Sequence, residues 1–186
     1  MSKVHLALAL LRAIIPAAND NELLMLLAMS RFEGGGYGQA WNGAHNWGSV
    51  QCRSRPPCPA GCTPSTDVHA DGTGYTGCYR RYASSLDGAR DFVREVYRRP
   101  DTRGSARNGD PVAFADALRA SGYFEAPADR YALALRRNAA AVTAQTGLEW
   151  TNSGADTLGY LTVAVLGLAV ALALRGGLRS RRRREK

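Results

Sequence analysis

Residues 30–52 read SRFEGGGYGQAWNGAHNWGSVQC, and the fold turns on this stretch. An apolar run ends in a single carboxylate, Glu33. Three glycines follow, then a segment dense in Trp, Asn, Tyr and His. The run, NELLMLLAMSRFE, has helical spacing, with Asn19 and Asp20 as N-cap candidates and the glycines as its stop. It predicts a helix over residues 21–33, buried through Leu23, Leu24, Leu27 and Met29. A carboxylate closing an apolar helix is discouraged from ionising by burial and by the partial negative charge of the helix end. A proton donor working at neutral pH needs such a raised pKa. The glycines let the backbone turn sharply and leave room for a bulky ligand beside the carboxyl. Tyr37, Trp41 and Trp47 offer flat apolar faces, and Asn42 and Asn46 offer amide hydrogen bonds, the chemistry that a sugar polymer takes up. The plain alternative is an exposed Glu at an ordinary helix end.

Working outward, residues 3–15 read as a helix with apolar positions all round, ended by Pro16. Residues 1–20 resemble a signal peptide only weakly. Arg12 interrupts the apolar run and no small-residue cleavage site follows, so the segment is expected to be a structural helix. Residues 40–82 hold most of the Gly, Pro, Cys and Trp and predict a loop-rich lobe, with a short hairpin around DVHADGTGYTGCYRRY turning at its Asp-Gly. Helices resume with SSLDGARDFVREVYRR, capped by Ser84 or Ser85, then PVAFADALRASGYF, ended by Gly122, then ADRYALALRRNAAAVTAQTG. The expected class is α+β, mostly α.

Four blocks of this sequence, taken in order, resemble the lysozyme-like bacterial glucosaminidases of glycoside hydrolase family 73. SRFEGGGYG matches a helix-ending Glu followed by a glycine block. HNWGSVQ matches an Asn-x-x-Gly-[Ile/Val] segment. CYRRYASSLDGARDFV matches a Phe-Arg-x-Tyr-x-Ser block leading into a helix, and ASGYFEAPADRYALAL matches a weaker Gly-Tyr…Pro-x-Tyr-Ala block. The resemblance covers roughly residues 5–140. It implies a lysozyme-like helical domain with a small Cys-rich β-lobe across a cleft, and cleavage of the β-1,4-linked glycan of peptidoglycan, of N-acetylglucosaminidase or muramidase type. It implies Glu33 as catalytic acid and a second carboxylate on the β-lobe. Counting back from Tyr79-Arg80 reaches STDVHADG, so Asp67 is the match and Asp71 the fallback. The family usually carries Glu there, one methylene longer. Tyr37, Asn46, Trp47, Tyr82 and Tyr123 are the expected substrate-binding side chains, Tyr123 being equally readable as a core tyrosine. No cofactor is implied. The other reading from a different class is a non-catalytic glycan-binding or structural protein on the same fold.

Cys52, Cys58, Cys62 and Cys78 all fall in the lobe region. An even count in a domain outside the cytoplasm points to two disulfides, with three connectivities open. A zinc site using these cysteines with His69 is the competing reading, disfavoured because no Cys-x-x-Cys pair is present. His45 and His69 are expected to flank the cleft.

The net charge of +8 is uneven. The last twelve residues, RGGLRSRRRREK, hold seven basic side chains and one acid, leaving the rest of the chain at +2. That near-neutral body excludes a nucleic-acid reading. Just upstream, Thr157–Leu174 is 18 residues without a charge, long enough for a short membrane-spanning helix, with Trp150 and Tyr160 at its other end. The expected organisation is a catalytic domain over 1–147, a linker over 148–156, a single C-terminal transmembrane helix over 157–174 and a basic tail over 175–186. The positive-inside rule places the tail in the cytoplasm and the domain on the cell-wall side of a bacterial membrane or, equally, in a phage virion membrane. The expected partners are peptidoglycan strands and lipid.

Overall fold

The computed structural model describes residues 2–33, 37, 44–52, 54, 56–69 and 71–151. The compact unit extends to Thr151. The expected transmembrane helix and basic tail lie outside the described residues, as do Trp41 and Asn42. Among the described residues no helix is long and apolar enough to cross a membrane.

Among the described residues there are six helices and one two-stranded sheet: α1 (Lys3–Ile14), α2 (Asp20–Glu33), β1 (Cys62–Val68), β2 (Gly74–Arg80), α3 (Ser85–Tyr97), α4 (Thr102–Arg107), α5 (Pro111–Ala120) and α6 (Ala128–Thr146). The class is therefore α+β and mostly helical. The core centres on α2, where every residue from Asn21 to Ser30 is buried. A helix buried on all sides must be apolar all round, and α2 meets this except at its polar ends. Leu23, Leu24, Leu27 and Met29 are buried as expected, and the helix packs on α1, α4 and α6 together. The reverse holds for α1. Although apolar all round, it buries only Val4, Ala7, Leu8 and Leu11 and leaves Leu6 exposed.

The caps follow the expected chemistry. Asn19 accepts from the Glu22 amide at 2.9 Å, Ser84 from Asp87 at 3.1 Å, and Asp110 from Val112 and Ala113. Helix α6 closes at Gly147, whose φ of 71° is left-handed. The short α4 has no apolar period, which is why the sequence did not announce it. It is held by the fully buried Glu22, which accepts from Arg103, Arg107 and the Tyr97 hydroxyl and so ties the start of α2 to α3 and α4.

Residues 148–151, expected as the start of a linker, are clasped to the body. Leu148 is buried, Trp150 donates to the Gly109 carbonyl at 3.0 Å, and Asn21 exchanges hydrogen bonds with both backbone groups of Thr151. The chain therefore leaves the described unit at the start of α2. Glu33 sits at the other end, about 18 Å away at 1.5 Å per residue.

The β-lobe is the expected hairpin. Asp67 pairs opposite Tyr75, and Gly72, with φ of 89°, makes the turn. Residues 44–52 run along the far side of β2, with Cys52 bonding Cys78, Arg80 bonding Val50 and Tyr82 bonding Ala44 through the backbone. The Cys52–Cys62 disulfide fixes this segment to β1, and Cys58–Cys78 fixes the chain that follows it to β2. All four cysteines are oxidised, and no metal-holding cluster occurs among the described residues.

Candidate active site

A cleft of about 750 Å³ lies between the hairpin, the end of α2, the end of α3 and the start of α6. Glu33 and Asp67 both line it. Glu33 reaches it because α2 stops there. Ser49, itself in a left-handed conformation, donates its hydroxyl to the Glu33 carbonyl at 2.8 Å. That bond satisfies one of the carbonyls a helix end leaves open and fixes the loop against the acid.

The Glu33 carboxyl sits in an aromatic surround. Tyr131, from α6, donates to its Oε1 at 2.6 Å. The Tyr131 ring stacks on Phe124 at 4.0 Å and meets the edge of Phe32 at 5.2 Å. Burial among these rings pushes the Glu33 pKa up to about 7. The Tyr131 hydrogen bond opposes the rise and the Asp67 charge adds to it. At neutral pH a large fraction of Glu33 therefore carries a proton.

Asp67 has the opposite environment. Burial would raise its pKa, but hydrogen bonds from the Tyr79 hydroxyl at 2.6 Å, its neighbour Val68 N–H at 2.8 Å and the Tyr75 hydroxyl at 3.2 Å outweigh it and hold the pKa below the usual value. Gly77 makes this convergence possible. It lies between Tyr75 and Tyr79 on the same face of β2, and a Cβ there would come within 3.0 Å of the Tyr79 ring. Gln51 spans both phenols, at 3.0 Å and 3.2 Å. Two carboxylates thus face one cleft with pKa values driven apart, one toward the acid form and one toward the base.

Of the remaining expected site residues, Tyr123 lines the cleft. Its hydroxyl donates to the Gly48 carbonyl and its ring lies under the Arg99 guanidinium at 4.8 Å. Gly48 has no alternative, since a Cβ would sit 2.5 Å from the Phe92 ring. Tyr37, Asn46, Trp47 and Tyr82 do not line the cleft; they build its support. Asn46, fully buried, bonds Val50 in both directions and the Arg80 carbonyl at 3.0 Å. Trp47, also buried, packs between Tyr37 and Phe92 and donates to Ser85 at 3.1 Å. Tyr82 donates to the Asp91 carboxylate. Asp71, the fallback carboxylate, is spent on the hairpin turn, where it accepts from the Thr73 amide and hydroxyl at 2.9 Å and 2.7 Å. His69 is on the cleft rim, stacked on Tyr75 and 3.5 Å from Glu125. His45 does not line the cleft.

Sequence reasoning missed Tyr131, Phe32, Phe124, Tyr75, Tyr79 and Gln51 as cleft residues. Tyr131 stood in the fourth quoted block, but its spacing with Ala132 and Leu135 reads as an ordinary core face.

The fold has solved counterparts. A peptidoglycan hydrolase mutant from Sphingomonas sp. A1 superimposes with a TM-score of 0.51 at 21% identity, over 72% of this chain and 97% of that one. The glycoside hydrolase domain of Salmonella typhimurium FlgJ gives a TM-score of 0.48 at 23% identity, over 79% of this chain and 92% of that one. No family model matches the sequence, and no curated protein does. The chain shares the fold of the Sphingomonas hydrolase, as the resemblance implied.

Proposed function

We propose that this protein is a glycosidase that cleaves the β-1,4-linked glycan of peptidoglycan, as an N-acetylglucosaminidase or muramidase. One observation carries the reading: Glu33, with its pKa near 7, shares a cleft with Asp67, held below the usual value. Glycoside hydrolysis needs one carboxyl that can give a proton and one that stays ionised. Protonated Glu33 gives its proton to the leaving glycosidic oxygen. Asp67 remains negative and stabilises the positive charge that develops on the sugar, or draws a proton from the incoming water. Phe32, Phe124 and Tyr75 supply apolar faces on which a sugar ring can lie. That a peptidoglycan hydrolase has this fold supports the choice of substrate.

In this reading the uncharged stretch 157–174 anchors the protein in a membrane, the Arg-rich tail stays on the cytoplasmic or virion-interior side, and the catalytic unit faces the wall.

A zymogram on purified peptidoglycan, with mass analysis of the released sugar ends, tests the activity and identifies the bond. Lysis by wild type and none by Glu33→Gln supports it, and no cleavage by wild-type protein overturns it. Protease added to intact spheroplasts should remove the folded unit and spare the tail. The opposite pattern overturns the topology.

A further inference from the structure

The cleft carries charges of both signs. Glu33 at the end of α2 and Asp67 on β1 line it, and so do Arg98 and Arg99 at the C-terminal end of α3 and Arg80 at the end of β2. These cations are only partly neutralised. Arg80 and Arg94 share the buried Asp91, and Arg80, Arg98 and Arg99 share the buried Glu95, at 3.4, 2.6 and 3.6 Å. Four guanidinium groups meet two carboxylates, which leaves a surplus of positive charge.

Three of the four, Arg80, Arg98 and Arg99, line the cleft. The Arg98 Nε is engaged with Glu95, but its side chain is 45% exposed and its terminal nitrogens remain for another acceptor. The Arg99 guanidinium lies over the Tyr123 ring and donates one N–H to the Glu95 carbonyl. Glu125, from the segment before α6, also lines the cleft and lies 3.5 Å from His69.

We propose that Arg98 and Arg99 form a carboxylate-binding subsite for the acidic substituents of the glycan strand. This rests on the glycan reading above and adds a substrate preference to it. Planar guanidinium pairs suit a carboxylate, which can accept from both at once. In peptidoglycan that carboxylate comes either from the lactyl ether of the muramyl sugar or from the attached peptide. A neutral glycan such as a chitin oligosaccharide lacks both.

The test is equilibrium binding in the Glu33→Gln background, with mass analysis of the ligands after each measurement showing that no strand has been cut, so that the result does not depend on Glu33 being the acid. Three ligands are compared: peptide-bearing strands, strands stripped of peptide so that the lactyl carboxylate is free, and neutral chitohexaose. Arg98→Gln should weaken the charged strands about fivefold, and Arg98→Glu more, with the difference shrinking at high salt. Neither should change chitohexaose by as much as twofold. Loss on the stripped strands alone assigns the lactyl carboxylate, loss on peptide-bearing strands alone assigns the peptide, and loss on both shows a subsite that takes either carboxylate. Thermal melting confirms that each variant is folded, as expected when Glu95 keeps Arg80 and Arg99. Equal effects on neutral and charged glycans, or no effect on either, overturn the subsite. Failure of the parent protein to bind any of the three overturns the glycan reading itself.

Discussion

Tyr131 donates its phenolic hydrogen to Glu33 at 2.6 Å across 98 residues of sequence. The bond stabilises the ionised carboxylate, against the burial that raises the pKa to about 7. Tyr131 itself is buried deeply enough that its own pKa is raised well above that of free tyrosine, so it remains a donor at working pH. Tyr131→Phe keeps the rings packed on Phe124 and Phe32 and removes only this bond. The alkaline limb of the pH–rate profile should then move to higher pH. A limb that stays in place or moves lower would reject Tyr131 as the group that tunes Glu33.

Glu33→Gln should retain the fold and lower lysis by about 10²–10⁴-fold, the usual worth of a general acid. It should also change stability with a definite sign. The folded pKa of Glu33, about 7, lies above its reference of 4.5. Ionising it in place therefore costs stability progressively as pH rises from 4.5 to about 7, and the cost is constant above that. Gln cannot ionise. Its melting temperature relative to wild type should climb across this window and then level off, as measured by thermal denaturation at stepped pH.

Asp67→Asn should reduce activity far more than Asp71→Asn. Asp67 accepts from Tyr79 and Tyr75 inside the cleft, whereas Asp71 accepts only from Thr73 at the hairpin turn. Steady-state rates on peptidoglycan decide between them, and the reverse order would transfer the role to Asp71.

Thiol labelling of the denatured, unreduced protein should find no free cysteine. Replacing Cys58 and Cys78 together by Ser opens a loop closed across 20 residues. The expected loss is about 3 kcal/mol in the chain-entropy description, read from urea unfolding.

A chain ending after residue 154 should fold and stay soluble. A chain ending after residue 147 loses the buried Leu148 and the Trp150 and Thr151 bonds to Gly109 and Asn21. It should be destabilised by about 2–4 kcal/mol, the range for removing large buried apolar side chains. Equal stability of the two would show that the clasp contributes nothing.

What the sequence by itself determined is local. The spacing of Leu and Met in residues 21–33, the caps at Asn19 and Ser84, the stop at Gly147 and the Asp-Gly turn each act through neighbouring backbone groups, so they can be read in order along the chain. Glu33 could be singled out for the same reason: a helix end, a burial signal and a glycine run lie side by side. Tertiary structure decided which aromatic residues face a ligand. Trp47 and Tyr37, conspicuous as sugar platforms, are packed into the core, and Tyr131, indistinguishable from a core-face residue in α6, touches the acid instead. It also decided which of Asp67 and Asp71, four positions apart in one hairpin, faces the cleft. Whether a carboxylate meets two tyrosines or its own turn depends on strand register and on the space left at Gly77, which only the paired strands define. The ionisation of Glu33 depends likewise on groups that α6 and β1 bring from far along the chain, since desolvation and charge act through space rather than along the sequence.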